Sequence, residues 1–424
     1  MAWTLLELPE FQRLRRIKQL GFTELVFPGA SHTRFAHSVG VFHTARQLAE
    51  CIKYQVGGRY NPERAQVAMA AALVHDVGHG PFSHAFEAAT AGLSEKRHHE
   101  DWTSEIVTGR TGINRVLEGF RSGFSREVAD LIVADTPADI YASIVSSQFD
   151  ADRLDYVRRD RMMAGVSHGG FDFSWLLANL EVGPVPLTQD DDVIGEVEAL
   201  ILGNKALQAA ESYVLGLFHL YFSIYFHKAT RGAEKLLTAI LRRIAELVKG
   251  GSGHLTGLSP THPIYAFIKD SSLSNYLWLD DASIWGALAD LTKADDENIR
   301  HLANRLACRR LYKVVDVGSI LTARGGEASI AKFKMRFSEC QRSGDIGPID
   351  AFADTAKRNP YQRKALETPE VLKKVLIRRS DGTNFEDLRD RSEVVRALEE
   401  KALFRVYVRD QATRKKILAL MEDV

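Results

Sequence analysis

The chain has 424 residues, and its 55 lysine and arginine residues are balanced by 55 aspartate and glutamate residues. Hydrophobic residues make up 45% of the chain and charged residues 26%, which is the balance of a globular protein with a large core. The even charge excludes an overall basic field that would draw the protein to nucleic acid, although local basic patches stay open.

Helical periodicity dominates the first half of the chain. In chain order, helices are predicted at 9–20, at 33–55 and from Asn61-Pro62 to His75; short helices are predicted within 100–163, and one long or two coaxial helices at 204–249. A small β-hairpin is predicted near 175–200. The sequence GGSGH then gives the best candidate for a linker, although such a glycine-rich stretch can equally be the C-cap of the preceding helix.

The pattern changes after residue 250. Helices near 280–291 and 295–310 are followed by strand-like runs in LYKVVDV, KKVLIRR and FRVYVRD. We therefore predict a mainly α protein, with a helical core over 1–250 and a small α+β lobe over 251–424 packed on that core.

The cysteines and the chain start indicate the compartment. Cys51, Cys308 and Cys340 form no CxxC pair and predict buried thiols in a reducing compartment. The start MAWTLLELPEFQRLRR has charges where a secretory signal needs an apolar core. The apolar run at 214–226 is shorter than a membrane span and contains His219. We expect a cytoplasmic protein that does not contact the membrane.

Histidines and acids concentrate in the stretch AALVHDVGHGPFSHAFE. His75 and His79 are four residues apart and would share one face of a continuing helix, with Asp76 within reach at its end. Imidazole and carboxylate ligands suit Fe, Mn, Zn or Ni. Upstream, His37 interrupts an apolar helix, and downstream FDADRLDYVRRD supplies Asp152 among further acids. Each feature alone is usually structural, but their combination predicts a metal site.

The stretches TRFAHSVGV, ALVHDVGHGPFSH and DADRLDY resemble the HD-domain phosphohydrolases, and specifically their deoxynucleoside triphosphate triphosphohydrolase branch. The resemblance covers residues 5–235. It implies an all-helical HD-domain core in which the metal ligands are His37, His75, Asp76 and Asp152.

Proton transfer to the leaving oxygen needs a further group. His84 and Glu87 lie three residues apart, so the carboxylate can hold the imidazole, and His99 with Glu100 offers a second pair. The resemblance places His79, His84 and His99 around the α-phosphate. It also implies that Glu87 replaces an aspartate that orients the catalytic histidine.

Substrate contacts follow from charge and from the resemblance. Cationic side chains for a polyphosphate are predicted at Arg34, Arg153 and Lys228. The resemblance places the following residues at the substrate: Arg34 and Arg153 on phosphates, Tyr156 near phosphate and sugar, Gln19 and Asp160 on the sugar 3′-hydroxyl, and Tyr225 where a 2′-oxygen would clash.

Some positions depart from the family pattern. Leu217 and Phe226 stand where the family has an arginine and a polar residue, so the nucleobase preference is loose or the substrate is not an ordinary deoxynucleoside triphosphate. Glu7 replaces an aspartate of the family's regulatory site, whereas Arg15 matches. An allosteric nucleotide therefore stays open.

The predicted reaction is metal-dependent hydrolysis of a deoxynucleoside triphosphate to deoxynucleoside and triphosphate. Whether Mg²⁺ also binds the triphosphate is left open. One alternative is a phosphodiesterase or nuclease acting on single-stranded nucleic acid or another nucleotide, with the basic stretches 301–315 and 371–380 as its binding face. Another is a nucleotide-sensing scaffold without catalysis. We expect a homo-oligomer.

Overall fold

The computed structural model describes residues 1–91, 97–189, 192–359, 361, 370–382 and 384–422. The fold of these residues is mainly helical, as the sequence predicts, with small sheets. No helix among them is long and apolar enough to cross a membrane.

Ten α-helices lie in the described part of the first 178 residues, several of which begin with a capping side chain. They are α1 (Ala2–Glu7), α2 (Pro9–Gln12), α3 (Arg34–Val56), α4 (Pro62–Val74), α5 (His84–Thr90), α6 (His99–Thr108), α7 (Gly112–Phe120), α8 (Phe124–Val133), α9 (Ala151–Ala164) and α10 (Phe173–Ala178). The side chains of Thr33, Asn61 and Asp150 accept hydrogen bonds from the first turns of α3, α4 and α9.

The helix predicted at 9–20 is shorter than expected. After α2 the chain makes a 3-10 turn at Arg13–Arg16 and becomes extended at Ile17. The backbone then pairs with the stretch before α3: Arg34 N donates to Ile17 O at 2.9 Å, and Gln19 N donates to His32 O at 3.0 Å. These hydrogen bonds replace the helical ones.

The predicted hairpin is present as β1 (Leu180–Gln189) and β2 (Asp192–Leu202), which pair antiparallel. Residues predicted to begin its first strand instead form α10, because the Asp172 side chain caps that helix. The long helical region consists of α11 (Leu207–Leu220), a π-helical turn at Tyr221–Tyr225, and α12 (Lys228–Lys249).

The second half contains the remaining elements. The helices are α13 (Pro263–Lys269), α14 (Leu273–Tyr276), α15 (Asp281–Leu291), α16 (Glu297–Ala307), α17 (Val317–Ser343), α18 (Leu388–Arg391), α19 (Glu393–Arg396) and α20 (Gln411–Glu422). The strands are β3 (Lys313–Val315), β4 (Ala351–Arg358), β5 (Leu376–Arg378), β6 (Phe385–Asp387) and β7 (Lys401–Val408).

The two sheets connect the halves of the chain. Strands β3, β7 and β4 form an antiparallel sheet in that order, whereas β5 runs parallel to β2 and extends the hairpin sheet, with β6 at its edge. The predicted strand in KKVLIRR therefore joins the first half of the chain and not the C-terminal sheet. The division into domains at residue 250 stays a prediction.

Two apolar clusters surround the polar centre described below. The larger one is formed mainly by α3, α4, α8, α9 and α11, and it also includes Tyr361, Val375 and Ile377. The second one joins α12 to residues 258–306 and also includes Phe82 and Trp102. The three cysteines are free, and none is fully buried as predicted: Cys51 and Cys340 are half-buried, and Cys308 is exposed.

Candidate active site

Three elements deliver the predicted metal ligands. His37 lies in the first turns of α3, and Asp152 lies in the first turn of α9. His75 and Asp76 follow α4 directly, because that helix ends at Val74. The expectation that His75 and His79 share a helix face is therefore wrong, since both lie on the turn formed by residues 75–83, the active-site turn.

The four side chains converge. His37 Nε2 lies 2.9 Å from Asp152 Oδ1 and 3.9 Å from Asp76 Oδ2. His75 Nε2 lies 3.2 Å from Asp76 Oδ1 and 3.8 Å from Asp152 Oδ1. A ligand atom from each of His37, His75 and Asp76 lies within 4.8 Å of the others, so this His/Asp cluster could hold a metal ion.

The far nitrogen of each ring is already engaged. His37 Nδ1 donates to Asp155 Oδ2, and His75 Nδ1 donates to the Ala72 carbonyl, both at 2.9 Å. These bonds orient the rings and direct Nε2 of both histidines to the cluster. Among the described residues neither Nε2 atom has a hydrogen-bond partner, although both are buried and that of His37 lies 2.9 Å from Asp152 Oδ1. Two buried nitrogens without partners beside two carboxylates are the donor set that a divalent metal takes.

The electrostatics also fit a cation. Burial alone would lower the pKa of His37, but the neighbouring carboxylates of Asp152, Asp155 and Asp76 raise it to about 10. Burial would raise the pKa of Asp76, yet Arg34 and His75 hold it well below its ordinary range. The carboxylates thus concentrate enough negative charge to retain a proton on His37, and a divalent cation would neutralise the same charge.

A second group of titratable side chains adjoins the first. His99 Nδ1 donates to Glu87 Oε1 at 2.8 Å, and its ring stacks on His79 with 3.9 Å between centroids. His79 Nε2 lies 3.2 Å from Asp76 Oδ1, which links the two groups. Glu87 was predicted to hold His84, whose side chain lies outside the described part of the structure, so the role of His84 stays a prediction.

The two predicted phosphate-binding arginines are each paired with an acid. Arg34 donates from Nη1 to Asp76 Oδ2 at 2.7 Å and from Nη2 to Ser83 Oγ at 2.8 Å. Arg153 donates from Nη1 to Asp150 and to a backbone carbonyl. Asp150 raises the pKa of Arg153, which stays charged.

A cavity of about 670 Å³ opens over these side chains, which is large enough for a nucleotide. Of the predicted site residues, its lining contains Gln19, Arg34, His37, His75, Asp76, His79, His99, Asp152, Arg153 and Tyr156. Leu217 contributes an apolar part of the wall.

Comparison with known proteins agrees with this geometry. Residues 34–159, which contain all four predicted metal ligands, match the family described as "HD domain". The uncharacterized protein YwfO of Bacillus subtilis is 35% identical over 74% of this chain and 68% of its own length.

The chain belongs to the HD-domain phosphohydrolase family.

Two further similarities concern a named relative and the fold alone, respectively. The deoxynucleoside triphosphate triphosphohydrolase SAMHD1 homolog of Dictyostelium discoideum is 37% identical over 80% of this HD-domain chain and 60% of its own length. A phosphohydrolase from Bacteroides thetaiotaomicron has the same fold, with a TM-score of 0.73 and 23% identity over 96% of this chain and 95% of that structure.

Two of the residues predicted at the sugar, Asp160 and Tyr225, are hydrogen-bonded to each other in this HD-domain protein. Asp160 Oδ1 accepts from His32 Nε2 at 2.8 Å, and Asp160 Oδ2 accepts from Tyr225 Oη at 2.7 Å. The Tyr225 ring lies 6.3 Å from that of Tyr156, which lines the cavity. Asp160 and Tyr225 thus lie behind the cavity wall, and their contacts with a sugar stay predictions.

Lys228 is not brought to this cavity. It lies at the start of α12 and lines a separate cavity of about 490 Å³ with Arg309 and Lys313.

Most charges of the basic stretch 371–380 are balanced. Arg378 pairs with Glu181 at 2.6 Å and Arg379 with Glu386 at 3.3 Å. The nucleic-acid face predicted there gains no support from this arrangement.

Arg13, which the sequence analysis did not single out, supports the active-site turn. Its buried guanidinium donates to the carbonyls of Val77 and His79, at 3.3 and 2.8 Å, and to that of Leu279 at 2.7 Å. Arg13 thus joins the active-site turn to Leu279, which lies 266 positions after Arg13 in the chain.

Other side chains hold the same turn. Tyr276 Oη donates to the Gly78 carbonyl at 2.6 Å, and Thr103 Oγ1 accepts from Gly78 N at 3.0 Å. A Cβ atom at Gly78 would lie 2.2 Å from Thr103 N, so the approach requires glycine. Asp281 Oδ1 accepts at 2.8 Å from Phe82 N, whose φ of 50° is rare for a residue with a side chain.

Proposed function

We propose that this protein hydrolyses deoxynucleoside triphosphates to deoxynucleoside and triphosphate. The observation that carries the proposal is the His/Asp cluster at the base of a nucleotide-sized cavity that also contains two arginines. The similarity to a protein named deoxynucleoside triphosphate triphosphohydrolase supports the choice of substrate.

We propose His37, His75, Asp76 and Asp152 as the ligands of a divalent ion. The two buried Nε2 atoms without partners favour this set, and its nitrogen and oxygen donors suit Fe, Mn, Zn or Ni. The ion would supply Lewis-acid chemistry at a phosphate and lower the pKa of a water molecule. Asp155 and the Ala72 carbonyl orient the histidines for this task.

The remaining residues bind the substrate and move protons. Arg34 and Arg153 present guanidinium groups to the triphosphate, and their acid partners hold each group in position. His99, oriented by Glu87, is placed to hold a proton for the departing oxygen, beside His79. His84 retains its predicted catalytic role.

Product analysis tests this proposal. Protein loaded separately with Mn, Fe, Zn or Ni is incubated with each deoxynucleoside triphosphate, and the products are resolved by ion-exchange chromatography. Release of tripolyphosphate and nucleoside is expected. Release of pyrophosphate or orthophosphate, or shortening of a single-stranded oligonucleotide instead, would contradict it.

Asp76→Ala provides the control for the metal assignment. Because Asp76 contacts both histidine groups, its removal is expected to abolish bound metal and activity together. Retention of both bound metal and activity in this variant would refute the ligand set. An allosteric nucleotide, a homo-oligomer and a cytoplasmic location stay predictions.

A further inference from the structure

Residues from the second half of the chain form part of the catalytic cavity. Arg358, at the end of β4, lines it together with Asn359, Tyr361 and Lys373. The buried Tyr361 hydroxyl accepts from Val375 N at 3.2 Å, which ties this region to the start of β5. The Lys373 carbonyl accepts from Gln148 N at 2.9 Å, close to the start of α9.

The cations of this region differ from those of the cluster. Arg34 and Arg153 are each paired with a carboxylate. Among the described residues, neither the Arg358 guanidinium nor the Lys373 ammonium has a carboxylate partner. Two positive charges without partners on a cavity wall favour an anionic ligand.

The position of Arg358 is fixed although its charge is unpaired. Its guanidinium lies 4.2 Å from the centroid of the Tyr221 ring, in a cation–π contact. Its Nε is buried and has no hydrogen-bond partner in the described part of the chain. The centroid of the Tyr221 ring lies 4.9 Å from that of the Tyr225 ring. Tyr221 follows Leu217, a residue of the cavity wall, by one turn of helix. An arginine that is held by stacking and lacks an acceptor is preorganised to bind one.

We propose that Arg358 binds a phosphate group of the substrate, and that Lys373 adds positive charge beside it. The second half of the chain then contributes directly to substrate binding. This inference rests on the proposed function, because it takes the triphosphate chain as the anion.

The test compares Arg358→Gln with Lys357→Gln. Lys357 is the preceding residue of β4, and its side chain is 63% exposed and paired with Glu400. Loss of a charge-assisted hydrogen bond to phosphate is expected to raise KM about 10- to 100-fold in Arg358→Gln, with a smaller change in kcat. Lys357→Gln should retain the wild-type KM.

A binding measurement separates this inference from the proposed function. Calorimetry of metal-free protein with inorganic tripolyphosphate should show about 10-fold or greater weakening in Arg358→Gln and intermediate binding in Arg358→Lys, which keeps the charge but not the planar fork. Melting temperatures equal to wild type would show that the variants are folded. If Arg358→Gln melts at a lower temperature, the binding of tripolyphosphate by Arg358→Lys decides whether Arg358 binds phosphate.

Each hypothesis fails on its own result. Unchanged KM and unchanged tripolyphosphate binding in Arg358→Gln, in a protein that hydrolyses deoxynucleoside triphosphates, would overturn the role of Arg358 alone. A wild-type protein that binds tripolyphosphate through Arg358 but releases none from any deoxynucleoside triphosphate would overturn the proposed function alone.

Discussion

The active-site region and the C-terminal sheet are stabilised by different interactions. Around the active-site turn, several buried side chains are polar and are oriented by particular partners, as Arg13 and His37 illustrate. The sheet of β3, β7 and β4 instead packs against α17 and α20 through an apolar cluster that includes Phe333 and Val406. Apolar packing tolerates exchange of similar side chains, whereas a buried polar group that loses its partner pays the full cost of desolvation. Single substitutions of polar residues should therefore have their largest effects near the turn.

The largest effect is expected for Asp152→Asn. The substitution removes a negative charge that lies within 4 Å of both cluster histidines, so metal binding should be lost and kcat/KM should fall by about 1000-fold or more. Metal analysis and steady-state kinetics measure both quantities. Asp135→Asn, a change elsewhere in the cavity wall, is the matched control; equal losses in the two variants would argue against a specific ligand role for Asp152.

A large loss of stability is expected for Arg13→Met. The variant leaves three buried carbonyls without their donor, which should lower the free energy of unfolding by about 3 kcal/mol or more. Urea unfolding followed by circular dichroism measures this change. Arg110→Met, at an exposed position, should have little effect. A stable Arg13→Met protein would contradict the view that polar contacts hold the turn.

A smaller effect is expected for Asp155→Asn, because Asp155 contacts the cluster only through His37 Nδ1. The ring loses a charged acceptor that orients it, so metal affinity should fall by about 10- to 100-fold while the fold remains. A competition titration with a chromophoric chelator measures the affinity. Wild-type affinity in this variant would mean that helix packing alone orients His37.

The smallest effect is a shift in pH dependence for Glu87→Gln. Burial lowers the pKa of His99, but the Glu87 carboxylate outweighs it and raises that pKa above the ordinary value. The stabilisation of the folded state by the His99–Glu87 pair is therefore complete below about pH 6.5, and it is lost as the pH rises through the raised pKa of His99.

If protonated His99 assists catalysis, the alkaline limb of kcat/KM should move to lower pH in Glu87→Gln. A profile of kcat/KM against pH measures the shift. Glu105→Gln, which changes another acid on α6, the helix that contains His99, is the control. An alkaline limb that stays in place would exclude His99 as the group that titrates.

The His/Asp cluster was predicted mainly from the resemblance to the HD-domain phosphohydrolases; the residues themselves carry a weaker signal, since His75 and Asp76 are adjacent and His37 interrupts an apolar helix. The main helices were predicted from periodicity, and the cap at Asn61 marked the start of α4. The end of α4 was predicted within one residue, at His75, but the turn that follows it was missed, because contacts with Thr103 and other distant residues form this turn.

Other features had no local signal. Arg13 resembles any arginine of a basic stretch, and its role depends on a carbonyl that lies more than half of the chain away. Arg358 likewise reaches the cavity only because β4 pairs with β7 and β5 with β2. Periodicity and spacing describe near neighbours, whereas these contacts depend on which distant segments meet.

The contact between Arg13 and Leu279 has a consequence for biosynthesis. A ribosome that has translated the chain as far as residue 250 has already produced every proposed metal ligand, but not Tyr276, Leu279 or Asp281, which hold the active-site turn. Enzymatic competence should therefore arise late during translation, after the nascent polypeptide has emerged well beyond its histidines and aspartates.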